Sequence, residues 1–194
     1  VQLAEVVRKV SERVAETGII TSGAGNYSQF VHRYTRYAMY PSSLAPSSGS
    51  MGYGLPAAIA AKLEYPDRTV VAYAGDGCFM MTAQELSTAV QYGLPIVVIV
   101  ADNGMYGTIR MHQEKTYPGR VSGTSLINPD FAEFARSFGA YGANVSETAE
   151  FDKAFEEALA CGGPAVIAVK LDAEALTPAA TLSDLRALGE RRTV

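Results

Sequence analysis

An aspartate and an asparagine, Asp76 and Asn103, stand 27 residues apart, each at the end of an apolar, β-branched run. Thr69-Val70-Val71 predicts a strand running to Gly75-Asp76-Gly77-Cys78, and Ile96-Val97-Val98-Ile99-Val100 predicts a second that delivers Asp102-Asn103-Gly104. The interval suits one helical crossover, so the two strands are expected to be parallel. Asp76 and Asn103 then share the carboxyl edge of a sheet, where α/β proteins bind ligands. A carboxylate and an amide oxygen, with a backbone carbonyl nearby, are hard ligands that suit Mg²⁺ held through a phosphate. Gly75 and Gly77 let the backbone approach a bulky anion, and the amides after Asp76 can donate to phosphate oxygens. Asp-Gly and Asn-Gly are also ordinary hairpin dipeptides, and a tripeptide motif recurs by chance, so the rest of the chain must decide.

Gly75-Asp76-Gly77, the interval and Asn103 resemble the metal–diphosphate signature of thiamine diphosphate (ThDP) enzymes. Two further stretches resemble that family in the same order. Ser22-Gly23-Ala24-Gly25-Asn26-Tyr27 is a Gly-rich turn after a short strand, either a phosphate cradle or a tight connection. Gly49-Ser50-Met51-Gly52-Tyr53-Gly54 closes a loop rich in Ser, Pro and Gly, and long ordered loops tend to be functional. An isolated Met is ordinarily a core gap-filler. The resemblance implies that Met51 wedges between the two cofactor rings and that the Gly49 carbonyl accepts from the 4′-amino group. It implies contact of Gly25, Asn26 and Tyr27 with the terminal phosphate. Asp76, Asn103 and the Met105 carbonyl become metal ligands, and Gly75, Gly77, Cys78, Tyr106, Gly107 and Thr108 line the diphosphate. The chain departs from the pattern twice: Asp102 precedes Asn103 where the family more often has Asn, and His112 stands where acetolactate synthases commonly carry Trp. A lone surface His is most often simply polar. Its place in the sequence still makes Met111, His112 and Gln113 the candidates for a substrate pocket.

Helical spacing of apolar residues at 3, 6, 7, 10 and 14 predicts a first helix, and Ile19-Ile20-Thr21 a strand. A helix is predicted over 57–63. Thr82-Ala83-Gln84-Glu85 reads as a capping box starting another that ends near Gly93. Residues 115–127 lack periodicity and read as a flap over the site. Asn128-Pro129-Asp130 reads as an N-cap followed by Pro in the first turn, opening a helix with Phe131, Phe134, Ala135 and Phe138 on its core face. A strand around 143–145, a helix over 149–160 and a strand over 165–169 follow, and 172–194 reads as a poorly packed extension. The alternation predicts an α/β fold: a doubly wound, mainly parallel sheet with helices on both faces, forming one domain over 1–171.

At 194 residues and 48% hydrophobic content the chain can bury a full core. A net charge of −4 with scattered Lys and Arg gives no nucleic-acid footprint. No apolar run approaches a membrane span. Cys78 and Cys161 form neither a disulfide framework nor a metal motif, so a reducing cytoplasm is expected. The chain opens at Val1, which suggests a piece of something longer. In the ThDP family a Glu on a separate pyrimidine-binding domain activates the cofactor, and no second α/β domain is visible here. The resemblance therefore implies the diphosphate-binding domain of an acetolactate-synthase-like 2-oxo acid decarboxylase or carboligase, working through carbanion and enamine chemistry. Its expected partners are ThDP, Mg²⁺, a 2-oxo acid, a pyrimidine-binding domain and a second copy in a homodimer or homotetramer. Alternatives are a natural subunit of a two-chain decarboxylase, or a noncatalytic diphosphate-binding module.

Overall fold

The computed structural model describes residues 1–192. In chain order the elements are α1 (Leu3–Val14), β1 (Ile19–Ser22), α2 (Tyr27–Tyr34), β2 (Ser43–Leu44), α3 (Gly54–Glu64), β3 (Val70–Gly75) and the single turn α4 (Asp76–Phe79). Then come α5 (Leu86–Gln91), β4 (Ile96–Asp102), α6 (Gly107–Thr116), α7 (Phe131–Ser137), β5 (Tyr141–Val145), α8 (Phe151–Ala160), β6 (Ala165–Lys170) and α9 (Leu182–Arg192). The strands form one parallel sheet in the order β2-β1-β3-β4-β6-β5.

β3, β4 and β6 read as almost unbroken apolar runs because both of their faces are covered. Along β3 and β4, Val71, Tyr73, Val97, Ile99 and Ala101 pack under α1, α2 and α8. Their neighbours Val70, Ala72, Ile96, Val98 and Val100 pack under α3, α5 and α7. The period of two along a strand thus feeds two separate cores. Pairing of Gly75 with Ala101 and of Asp102 with Lys170 aligns the carboxyl ends of β3, β4 and β6. The predicted α/β class, the central strands and the first helix agree with this architecture.

Four local expectations differ. Thr82 does not cap a helix: Ala83–Glu85 is one 3₁₀ turn, and the Thr82 hydroxyl donates instead to the Gly52 carbonyl at 2.8 Å. Asn128 is not the cap of α7. That role falls to Asp130, whose carboxylate accepts from the Glu133 amide at 2.9 Å. The 115–127 segment is only partly a free loop, because α6 continues to Thr116 and residues 124–126 are stitched to 104–106. The Tyr106 amide donates to Thr124 O at 2.9 Å and Leu126 N to Gly104 O at 2.8 Å.

The C-terminal segment is packed, not loose. Leu176, Leu182 and Leu185 are buried in a small cluster with Met105. Arg186 reaches the buried Glu114 of α6 with two hydrogen bonds of 2.8 Å, from Nε to Oε2 and from Nη2 to Oε1. Glu114 also accepts from Arg110 Nε (3.0 Å) and the Gly119 amide (2.9 Å). The sequence of this segment resembles a polar tail because its large apolar residues are few and interleaved with charged and small ones, and a single helical face needs no more.

Candidate functional site

A cleft opens at the carboxyl edge of β1, β3 and β4. Three chain turns build its floor: Ala24–Tyr27 after β1, Gly75–Cys78 after β3 and Asn103 with Tyr106–Thr108 after β4. Met51 from the long loop forms part of one wall. Leu3, Phe30, Ile109, Leu171 and Leu176 supply apolar walls. Twelve of the predicted cofactor residues therefore meet around one space: Gly25, Asn26, Tyr27, Met51, Gly75, Asp76, Gly77, Cys78, Asn103, Tyr106, Gly107 and Thr108. Gly49 and Met105 are outside the lining. Gly49 is exposed, with φ +69°. Met105 is buried under the C-terminal cluster, and its amide donates to Asn103 Oδ1 at 3.2 Å.

Asp76 is only 2% exposed. Its Oδ2 accepts from the Gly104 amide and from Asn128 Nδ2, both at 2.8 Å, while Oδ1 accepts from the adjacent Gly77 amide at 2.8 Å. Burial pushes the Asp76 carboxyl above its ordinary range. The donors Asn128, Gly77 and Gly104 oppose that, and the charge of Asp102 adds to it. A cation at the site would favour the anion again. Gly104 holds φ +69°, a left-handed turn that only Gly adopts without strain, and this turn aims its amide at Asp76. Among the described residues no group of three or more His, Cys, Asp or Glu side chains could hold a metal. Asn103 lines the same cleft as Asp76, and a carboxylate with an amide oxygen is a hard-oxygen pair of the kind that suits Mg²⁺ held through phosphate.

The other floor residues are held by one another. Asn26 Oδ1 accepts from the Thr108 hydroxyl at 3.1 Å, tying the turn after β1 to the first turn of α6. The Tyr27 hydroxyl donates to Cys78 Sγ at 3.5 Å, so Tyr27 offers the cleft its ring, and burial pushes its phenol well up. Cys78 Sγ also accepts from the Gly52 amide at 3.1 Å, which anchors the Met51 loop. A methyl group on Gly77 would stand 2.5 Å from the Tyr106 ring, so the bare backbone there is required by close approach.

The substrate-pocket trio is not brought together. Consecutive residues on a helix diverge by about 100°, and α6 spreads them accordingly. Met111 accepts from Asn26 Nδ2 through its sulfur at 3.6 Å, His112 is exposed, and Gln113 binds the Ser122 carbonyl at 2.6 Å. Sequence reasoning missed Asn128, on Asp76, and the apolar wall residues Leu3, Phe30, Ile109, Leu171 and Leu176. Asn128 has the local look of a helix cap and Leu176 lies in the C-terminal segment, so both reach the site from segments distant in sequence.

Fold and cleft together define an α/β protein with a cleft at the carboxyl ends of adjacent parallel strands, lined by Asp76 and Asn103. The family described as thiamine pyrophosphate enzyme, C-terminal TPP binding domain, matches residues 23–169. The chain belongs to that family. It is 34% identical over 172 residues to the acetolactate synthase catalytic subunit, mitochondrial, of Saccharomyces cerevisiae, covering 86% of this chain and 25% of that protein. It is 32% identical over 170 residues to the acetolactate synthase isozyme 2 large subunit of Escherichia coli, covering 86% of this chain and 31% of that one. Among solved structures, the thiamine diphosphate-dependent 4-hydroxybenzoylformate decarboxylase of Rhodococcus jostii superposes with a TM-score of 0.82 at 30% identity, over 88% of this chain and 32% of that one. The chain thus spans about a quarter to a third of these relatives' length. No helix among the described residues is long and apolar enough to cross a membrane.

Proposed function

We propose that this chain is the diphosphate- and Mg²⁺-binding domain, residues 1–171 with the following segment packed on it, of an acetolactate-synthase-like 2-oxo acid decarboxylase or carboligase. The observation that carries the reading is the convergence of Asp76, Asn103, the Gly25–Tyr27 turn, Met51 and the first turn of α6 on one cleft. Asp76 and Asn103, with the Met105 carbonyl, hold Mg²⁺. The amides of Gly77 and Cys78 and of Tyr106, Gly107 and Thr108 hold the diphosphate, with Gly25, Asn26 and Tyr27 at the terminal phosphate. Met51, in the cleft wall, would pack against the bound cofactor, and the Gly49 carbonyl would accept a hydrogen bond from its amino group. When bound, ThDP supplies the electron sink for cleaving the bond beside a 2-oxo carbonyl. The protein positions it, and Leu3, Phe30, Leu171 and Leu176 keep water from the charged end, where a low dielectric strengthens each contact. Of the predicted substrate-pocket residues, Met111 stays a candidate through its contact with Asn26.

The activating Glu comes from a pyrimidine-binding domain, in the same longer chain or in a second one, so this chain alone is inactive. The working assembly is a homodimer or homotetramer in the cytoplasm. Calorimetric titration of ThDP with Mg²⁺ tests the reading, using wild type and Asp76→Ala, alone and complemented by a pyrimidine-type domain. Metal-dependent binding that needs the second domain and is lost in the variant is the expected result. Binding of other diphosphates as tightly as ThDP in the complemented assembly refutes it.

A further inference from the structure

Asn128 lies between α6 and α7, 52 residues from Asp76 in sequence, yet it reaches the most buried carboxylate of the cleft. Its single amide nitrogen donates to Asp76 Oδ2 and to Asp102 Oδ1, each at 2.8 Å. An amide NH₂ carries two hydrogens, so both are used, and the flipped orientation would set the Asn oxygen against two carboxylates. The Gly104 amide spans the same pair, at 2.8 Å to Asp76 Oδ2 and 3.2 Å to Asp102 Oδ1. Lys170 Nζ completes the arrangement at 3.0 Å from Asp102 Oδ2. Two like charges are thus held side by side through shared donors, with one ammonium behind them.

This geometry leaves the two Asp76 oxygens unequal. Oδ2 is occupied by two donors from distant segments, whereas Oδ1 has only the neighbouring Gly77 amide. Rotating the carboxylate would break all three bonds together. We infer that Asn128 is a positioning residue that locks the Asp76 carboxylate with Oδ1 presented to the cleft, so that a divalent cation arriving with a diphosphate meets a preset ligand. The inference rests on the proposed metal site and goes beyond it by assigning the residue that orients that ligand. Partners that orient a metal ligand from behind typically govern about 10–100-fold in metal affinity.

The test is titration of Mn²⁺, read as free ion by paramagnetic resonance, into the complemented assembly in the presence of ThDP. Asn128→Ala is expected to weaken Mn²⁺ binding at least tenfold. Asp130→Ala, which removes the α7 cap two residues away without touching Asp76, is expected to stay within twofold of wild type. Asn128→Leu keeps the volume and removes the donors, and serves where the alanine variant fails to fold. Mn²⁺ affinity unchanged in Asn128→Ala or Asn128→Leu, while Asp76→Ala abolishes binding, overturns the positioning role and leaves the metal site standing. Equal weakening by Asp130→Ala overturns it as well, because the effect would then be general loosening. Binding that survives Asp76→Ala removes the metal site itself and the role of Asn128 with it.

Discussion

Removing the Arg186 side chain should loosen the C-terminal helix locally without unfolding the domain. Arg186 places two charge-assisted hydrogen bonds of 2.8 Å on the buried Glu114. Such bonds contribute roughly 1.5–3 kcal/mol each when desolvated. The Arg186 side chain is 37% exposed, so solvent screening lowers that figure, and about 2 kcal/mol for the pair is the working magnitude. In Arg186→Ala, Glu114 still holds Arg110 and the Gly119 amide, so no buried charge is orphaned and the loss stays local. Glu114→Ala is different. It leaves two guanidiniums facing an emptied buried position and should cost about 3–5 kcal/mol. At about 1.4 kcal/mol per decade, Arg186→Ala corresponds to a roughly 30-fold larger opening constant for α9. Hydrogen exchange followed by mass spectrometry reads this directly. Peptides within 182–191 should exchange about 30-fold faster, while β3 and β4 keep their protection. Unchanged exchange in α9 would refute the clamp. Equal acceleration in α9 and the central strands would show that the helix opens only with the whole domain, which refutes the local character assigned to it.

The same ion pair sets a pH dependence. Hydrogen bonds from Arg186 first, then the Gly119 amide and Arg110, hold the Glu114 carboxyl down at about 2, against an ordinary value of 4.5. A depressed carboxylate stabilises the fold above its unfolded pKa and loses that contribution as pH falls through the folded one. The difference in melting temperature between wild type and Arg186→Ala should therefore be constant above about pH 4.5 and shrink towards pH 2, as measured by circular dichroism. A difference that survives undiminished at pH 2 contradicts the assignment. Gly77→Ala places a methyl 2.5 Å from Tyr106 Cε1 and 3.3 Å from Leu126 Cδ1. Overpacking of this kind costs about 1–3 kcal/mol, whereas helix propensity alone would favour Ala. A lower melting temperature, partly restored by adding Tyr106→Ala, is expected, and a Gly77→Ala protein as stable as wild type would be inconsistent with that close approach.

What could be read from the sequence divides by distance along the chain. The strands carrying Asp76 and Asn103 were legible because strands buried on both faces must be apolar throughout, and Val70–Ala74 and Ile96–Ala101 are. Asp76 and Asn103 could be placed on one edge because a single crossover fixes the direction of both strands. Asn128 and Thr82 depart from expectation for a common reason: each looks like a helix cap locally, but a tertiary partner takes its polar group. Asn128 serves Asp76 and Asp102, and Thr82 serves the Gly52 carbonyl. Met111, His112 and Gln113 are adjacent in sequence, but a helix turns adjacent side chains apart. The packing of 172–192 was hidden because Leu176, Leu182 and Leu185 are widely spaced, and Glu114, the buried charge that anchors Arg186, gives no signal of its own burial.

The strand order has a consequence for the timing of assembly. β6, which follows β5 in chain order, lies between β4 and β5, and among the described strands it is the only one that pairs with β5. A nascent chain emerging N-terminus first can join β2, β1, β3 and β4 as each appears, but β5 has no hydrogen-bonding edge to meet until residues 165–170 are free. The two strand ends that carry Asp76 and Asn103 can therefore come together while that side of the sheet is still incomplete. The exposed edge of β4 in that interval, an apolar run with unsatisfied amides and carbonyls, is the surface through which newly made chains would associate with one another.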